Sequence, residues 1–264
     1  MTEDGARALT YGSYLALDEV LGAQRPLSGD HDELLFIVIH QVYELWFKEI
    51  LHELAFLQHR LEAGETPQSL ATLKRILTIL KTVVAQIDVL ETMTPRQFGS
   101  FRERLEAASG FQSAQFRELE AVLGRRSKAM VRNYAPGTPV RERIEAAMAR
   151  PALFDSLLRY LPLQGFAVPI DALQRDVTEP WIGSEAVQDT LLDVYRDNGE
   201  PAQVCERFVD LDEGLQEWRY RHVKMVERTI GDKPGTGGSS GAAYLRTTLF
   251  HPAFPDLWAI RSRL

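Results

Sequence analysis

Two of the six histidines occur among apolar residues, and they are the side chains best suited to chemistry. His40 directly follows the apolar run Leu34 to Ile39 and lies one helical turn after Phe36. His222 occupies a core position in a heptad-like apolar stripe. Each imidazole could simply bond a neighbour in the core, because buried polar groups usually find ordinary partners. Two such histidines on two buried helices also favour a shared internal site, since helix bundles build metal and cofactor sites between facing helices.

Two further segments could bind a small polar ligand. Arg102 follows Phe101 on the apolar side of a Phe-rich helix, and arginine is seldom fully buried without a partner. An internal acid could satisfy it, or it could clamp a substrate carboxylate through two hydrogen bonds. The segment Gly235 to Gly241 is either a plain linker or a mobile loop that folds over a ligand, because its glycines free the backbone. It begins 13 residues after His222, so helix and loop could serve one site.

The remaining candidate groups offer little chemistry. His52 and His59 lie two turns apart on one helix face without a His-Glu-x-x-His pattern, which favours a surface pair. Cys205, the single cysteine, lies in a helical pattern and suits a small apolar core residue. No GxGxxG follows a strand, and the glycine segment lacks the P-loop order. Nucleophilic hydrolysis and nucleotide binding are therefore disfavoured.

Helical periodicity runs through almost the whole chain and predicts an all-α bundle without internal repeats. Thr66 is predicted as an N-cap before Pro67, and Thr94 forms a predicted capping box with Gln97. Prolines are expected to separate the shorter helices, at Pro162, Pro169 and Pro180. The predicted helices cover about residues 32–57, 66–87, 94–105, 140–148, 152–161, 185–196 and 204–231.

Two stretches carry a prediction about burial. The first half of the helix at 32–57 has apolar residues on nearly all faces, which predicts burial on all sides. The run from Arg125 to Arg132 is rich in basic residues, and the usual interpretation of such a run is a solvated patch.

Composition limits the class of protein. The 264 residues carry 30 Lys and Arg against 37 Asp and Glu, a formal charge of −7, with 45% hydrophobic and 25% charged residues. An ordinary globular protein fits these values, and the acidic balance disfavours a nucleic-acid binder. The longest apolar run, Leu34 to Ile39, is far short of the roughly 20 residues that cross a membrane. With one cysteine and no visible secretory signal, we expect a cytoplasmic, soluble protein.

Several segments, taken together and in order, resemble the tryptophan 2,3-dioxygenase family of haem enzymes. Each motif alone is weak, but the ordered set covers nearly the whole chain and is highly specific. The segments that carry the resemblance are Leu9–Leu15, His31–Gln41, Glu44–Trp46, Leu90–Pro95, Phe101–Arg102, Ser109–Ser113, Arg221–His222 and Gly235–Gly241.

The resemblance implies a role for each matched residue. His222 would be the proximal ligand of a haem b iron, with Ser109 near the haem, and His40 would be the distal catalytic histidine facing the indole N–H. Arg102 would pair with the substrate carboxylate, and Thr236 would contact the ammonium group. The other implied substrate-site residues are Phe36, Ile37, Val38, Ile39, Phe98 and, from a neighbouring subunit, Tyr11 and Tyr14.

The same resemblance implies an activity and an assembly. The expected reaction is the cleavage of the L-tryptophan indole C2–C3 bond by O₂, giving N-formylkynurenine. One domain would span residues 1–264, with an N-terminal segment 1–25 contacting a neighbour in a homotetramer and a mobile substrate loop at 232–241. Some relatives carry other residues where Ile39, Ile87 and Phe98 stand. A relative that oxygenates a substituted tryptophan, and a haem or tryptophan sensor without turnover, therefore stay open as alternatives.

Overall fold

The computed structural model describes residues 9–106, 108–235 and 241–264, and every regular element among them is helical. Four short 3₁₀ segments accompany the α-helices, at Glu103–Leu105, Gly110–Gln112, Lys128–Val131 and Ile260–Arg263. The α-helices are α1 (Tyr11–Tyr14), α2 (Leu17–Leu21), α3 (His31–Glu62), α4 (Thr66–Leu90), α5 (Pro95–Arg102), α6 (Ala114–Val122), α7 (Pro139–Met148), α8 (Leu153–Leu163), α9 (Ile170–Leu173), α10 (Glu185–Asp197), α11 (Glu200–Ile230), α12 (Ala242–Arg246) and α13 (Pro255–Ala259).

Three long helices, α3, α4 and α11, make the principal packing of the fold. Their apolar stripes enclose the main core, to which α8, α10 and α13 add further side chains. A second, smaller core lies between α6, α7 and the 3₁₀ segment Lys128–Val131. Within the described part of the chain, no helix combines the length and apolar character needed to span a membrane. The predicted all-α bundle is thus confirmed.

The first long helix is longer and less buried than its pattern predicts. It runs from His31 to Glu62, and Leu34, Val38 and Leu45 on its first half are between 38% and 54% exposed. The prediction of burial on all sides is therefore wrong. Apolar residues on every face show only that each face is apolar, and they do not show that a neighbouring helix covers each face.

Two helix starts illustrate when a local capping signal is reliable. Thr94 caps α5 as predicted, with its hydroxyl accepting from the Gln97 N–H while the Gln97 side chain accepts from the Thr94 N–H. The prediction that Thr66 is an N-cap is wrong, because Glu65 is the N-cap of α4 and Thr66 is already helical. The Thr66 hydroxyl instead pairs at 2.7 Å with the hydroxyl of Tyr160, a partner far away in sequence.

The basic run and one proline also differ from expectation. Arg125 pairs with Glu120, and Arg126 donates to the backbone carbonyls of Ala121 in α6, Arg150 and Val177, so these side chains connect separate segments. Only Lys128 and Arg132 of the basic residues in the run are exposed. Pro162 lies inside the last turns of α8 and does not separate two helices.

A buried carboxylate on α11 holds the C-terminal segment. Asp212 accepts hydrogen bonds from the backbone N–H groups of Ala253 and Phe254 and from the Trp258 indole N–H, at 2.8 to 3.1 Å. We expect Asp212→Asn to lower the free energy of unfolding by about 2 kcal/mol, because the three bonds to one oxygen lose their charge assistance and the new NH₂ group faces the Gln216 donor. Urea denaturation measures the loss, and Asp210→Asn, an exposed carboxylate two residues earlier, serves as the control. Equal stability of the two variants would contradict this role.

Candidate functional site

A cavity of about 250 Å³ lies between α3, α4, α5, α6 and α11. One buried water needs a cavity of only roughly 10–15 Å³, so this cavity is large enough for a ligand. Its wall contains both histidines singled out from the sequence, His40 and His222, together with Phe36, Phe98, Arg102 and Ser109. The shared site between two helices, one of the two alternatives left open by the sequence, is the arrangement observed.

His40 is held in one tautomer by its own helix. Its Nδ1 lies 2.7 Å from the backbone carbonyl of Phe36. A carbonyl only accepts, so Nδ1 carries the proton and Nε2 of the neutral ring is an acceptor. Burial lowers the pKa of His40, although the Phe36 carbonyl and the charge of Glu44 oppose the shift. At neutral pH the ring is therefore uncharged and can accept an N–H.

His222 is a neutral imidazole on the opposite helix. Burial, together with the nearby His40, lowers the pKa of His222 to about 4. Trp218, one turn earlier on α11, stacks on the ring with centroids 5.1 Å apart and planes 26° apart. A neutral ring has an unprotonated nitrogen, the form of histidine that ligates metals. Among the described residues no group of three His, Cys, Asp or Glu side chains could hold a bare metal ion.

Aromatic rings cover the end of the cavity near His40. Phe36 lies 4.1 Å from the His40 ring centroid, 5.6 Å from that of Phe98 and 5.7 Å from that of Phe101. Phe98 and Phe101 meet edge to face at 5.5 Å. Such a cluster offers flat apolar surfaces to a planar aromatic ligand.

Arg102 lies where the glycine segment joins the site. Its Nη2 donates to the backbone carbonyl of Pro234, which directly precedes that segment. The internal acid considered from the sequence is not the partner that the structure gives to Arg102. Thr236 lies outside the described residues, whereas Gly235 and Gly241, at the two ends of the segment, both line the cavity.

A charged wall, which the sequence did not reveal, lies near His222. Arg117, Arg125 and Arg219 surround the buried Glu120, which accepts from the first two and lies 3.7 Å from the third. Counting Arg102 and Glu44, four arginines and two glutamates line the cavity, a formal excess of two positive charges. Local periodicity could not find this wall, because it joins α6, α11 and the loop after α6.

One buried donor in the same wall lacks a partner. The indole N–H of Trp218 is buried and has no hydrogen-bond acceptor among the described residues. The Tyr43 hydroxyl is close enough for this N–H to oppose the rise in the pKa of Tyr43 that burial causes. The hydroxyl nevertheless donates to the Val83 carbonyl and completes no hydrogen bond with Trp218. A buried N–H without an acceptor is costly, so a ligand that supplies one would be favoured.

Some predicted site residues lie away from the cavity of their own chain. Ile37, Val38 and Ile39 do not line it, and Ile39 is instead buried in a small core with Leu90, Met93 and Phe101. Tyr11 and Tyr14 also lie outside it and are more than 70% exposed.

Comparison with known proteins covers the whole chain. The family model of tryptophan 2,3-dioxygenase matches residues 2–152 and 175–264. The tryptophan 2,3-dioxygenase of Anaeromyxobacter sp. (strain K) is 72% identical over 100% of both chains. Those of Herpetosiphon aurantiacus and Caulobacter vibrioides are 59% and 44% identical over 98% of this chain and 100% of theirs.

Proposed function

Because this chain belongs to the tryptophan 2,3-dioxygenase family, we propose that it uses haem b and O₂ to open the indole ring of L-tryptophan. The reaction breaks the C2–C3 bond and places both oxygen atoms in N-formylkynurenine. The observation that carries the proposal is one cavity lined by a neutral His222, a neutral His40 and Arg102. An iron ligand, an acceptor for an indole N–H and a donor for a carboxylate thus surround one space.

The residues present fit haem b. His222 supplies one neutral nitrogen for the iron, which is all that a haem iron needs from the protein on one side. The two propionates of haem are anions, and they match the excess of two positive charges that Arg117, Arg125 and Arg219 have over Glu120, without Arg102. The buried Trp218 N–H would gain an acceptor from the same groups. When bound, haem supplies the activation of O₂, and the protein supplies binding and orientation.

The substrate is an amino acid with a planar ring, and the cavity has a group for each part of it. His40 Nε2 accepts the indole N–H, and Phe36 and Phe98 contact the ring faces. Arg102 donates to the carboxylate in place of the Pro234 carbonyl. In this proposal Thr236 contacts the ammonium group, so that both ends of the amino acid are bound.

We also propose the family's homotetramer. The N-terminal helices leave Leu9, Tyr11, Tyr14 and Leu21 more than 70% exposed, and apolar side chains so exposed in one segment are typical of an interaction surface. Tyr11 and Tyr14 would then reach a neighbouring subunit's site. The cytoplasmic location expected from the sequence stays a prediction.

Product analysis tests the proposal. The haem-loaded, reduced protein is mixed with L-tryptophan and ¹⁸O₂, and the product is identified by mass. We expect a ring-opened product that contains two ¹⁸O atoms. Insertion of one oxygen, or turnover only with a substituted tryptophan, would move the chain to a biosynthetic branch of the family. Haem binding without turnover of any indole would favour a sensor.

The charged wall leads to a binding prediction that does not depend on turnover. Haem should bind the wild-type chain more tightly than its dimethyl ester, which lacks the propionate charges, by about tenfold or more. Arg219→Met should remove much of this preference, because the Arg219 side chain is only 13% exposed and lies in the wall. Soret titrations measure both affinities, and Arg207→Met, an exposed arginine of α11, is the matched control. Equal binding of haem and ester by the wild type would contradict the assignment.

A further inference from the structure

The N-terminal arm, residues 9–21, hardly packs on its own chain. Helices α1 and α2 contact mainly each other. The arm root, residues 22–30, is in contrast tied down by hydrogen bonds. Gln24 donates to the Gln41 side chain at 2.6 Å, and Gln41 donates back to the Ala23 carbonyl. The arm thus projects from a fixed root.

The strongest tie is a buried carboxylate at the start of α3. Glu33, only 1% exposed, accepts the backbone N–H of Leu27 at 2.8 Å and that of Ser28 at 2.7 Å. Its second oxygen also accepts the Ser28 hydroxyl. A carboxylate with three donors from a two-residue segment fixes that segment's conformation.

A second side chain, from the segment that follows α5, also binds the arm root. Arg104 donates to the Leu27 carbonyl at 3.2 Å. It lies in the 3₁₀ segment that follows α5 directly, and its neighbours Arg102 and Leu105 both line the cavity. Leu27 is therefore held by its N–H to α3 and by its carbonyl to the segment that carries the carboxylate-binding arginine.

Helix periodicity connects Glu33 to the site as well. Phe36 and His40 follow Glu33 by three and seven residues, so all three side chains lie on one face of α3. A displacement of Glu33 would therefore occur one helical turn from Phe36, which belongs to the aromatic wall of the cavity. The arm root consequently touches both segments that surround the indole and the carboxylate.

We propose that Glu33 and Arg104 form a latch through which the arm, seated on a second copy of this chain, positions Phe36, His40 and Arg102. This inference rests on the assembly in the proposed function. Neither latch residue lines the cavity, so both are positioning residues. Their effect is on substrate affinity, because Arg102 binds the carboxylate, and haem retention is independent of them.

Glu33→Gln in the full-length haem enzyme tests the latch. The change keeps the side-chain volume but turns an amide NH₂ toward either the Leu27 donor or the two Ser28 donors. We expect faster amide exchange in residues 22–30 and a KM for L-tryptophan raised about tenfold, the loss of roughly one charge-assisted hydrogen bond. kcat and haem content should stay within about twofold of wild type. Asp32→Asn is the matched control, because Asp32 precedes Glu33 in the first turn of α3 and lies outside the arm root.

Two additional variants test the latch independently of Glu33→Gln. Arg104→Met leaves every bond to Glu33 intact and should also raise KM, even if Glu33→Gln folds poorly. Leu21→Ser on the arm should raise KM in the wild type and have little additional effect in Glu33→Gln, because coupled residues are not additive. Additive effects, or KM values equal to that of Asp32→Asn, would overturn the latch.

The failure of the latch is distinct from the failure of the proposed function. Absence of tryptophan turnover by the wild type would overturn the function, and calorimetric binding of L-tryptophan would then replace KM. Unchanged amide exchange in residues 22–30 of Glu33→Gln would overturn the latch in either case.

Discussion

Alanine in place of His222 is expected to abolish tight haem binding. The neutral imidazole of His222 is the iron ligand that we propose on α11, and Trp218 stacks on its ring. Without it the cavity retains apolar contacts and the charged wall but offers the iron no nitrogen from this helix. We expect haem affinity to fall by at least about a hundredfold, because mutation of even the outer-shell partners of metal ligands costs roughly 10–100-fold. Soret titration and the rate of haem transfer to a competing apoprotein measure the loss.

The control and the rescue distinguish ligation from folding. His59→Ala removes an exposed histidine from α3 and should leave haem binding unchanged. Exogenous imidazole should restore a histidine-like Soret band in His222→Ala, because the truncated side chain leaves space for a free ring. Full haem retention with an unaltered spectrum would show that another residue ligates the iron. Haem loss in His40→Ala, which should keep its haem, would exchange the roles of the two histidines.

Replacement of Arg102 by methionine should cause the largest loss in substrate selectivity. Methionine keeps much of the apolar stem but removes every donor for the carboxylate. Loss of a desolvated charge pair costs roughly 2–5 kcal/mol, which is at least about thirtyfold in kcat/KM. The effect should be in KM for L-tryptophan, and activity with tryptamine, which has no carboxylate, should hardly change.

The carboxylate-dependent ratio is the decisive measurement for Arg102. Wild type should prefer L-tryptophan over tryptamine, and Arg102→Met should lose that preference. Arg96→Met, an exposed arginine on the same helix α5, is the matched control. Arg102→Lys should recover only part of the preference, because an ammonium group cannot make the planar two-bond contact. An unchanged KM in Arg102→Met would remove this residue from substrate binding.

The backbone just before the glycine segment is also relevant to the Arg102 prediction. Arg102 Nη2 donates to the Pro234 carbonyl, so the proposed substrate carboxylate would compete with this backbone acceptor for the same donor.

Local sequence determined the helices and the chemical type of the site. Periodicity predicted the long helices because the 3.6-residue repeat depends only on neighbouring residues. The capping box at Thr94 needed only Gln97, three residues away. His40 and His222 were recognisable because a polar ring in an apolar stripe is unusual at any position of a bundle. The resemblance to a known family added roles for Arg102 that spacing alone left open.

Tertiary structure decided every feature that depends on partners far apart in sequence. Thr66 forms a hydrogen bond with Tyr160, and the arginines around Glu120 come from both α6 and α11. No local sequence pattern contains these pairs. The exposure of Leu34 and Leu45 likewise depends on where other helices end. Glu33 is one of two acidic residues in the first turn of α3, a position usually open to solvent, yet it is buried against the arm root. A sequence specifies which groups can interact, whereas burial and pairing are set by the chain's long-range packing.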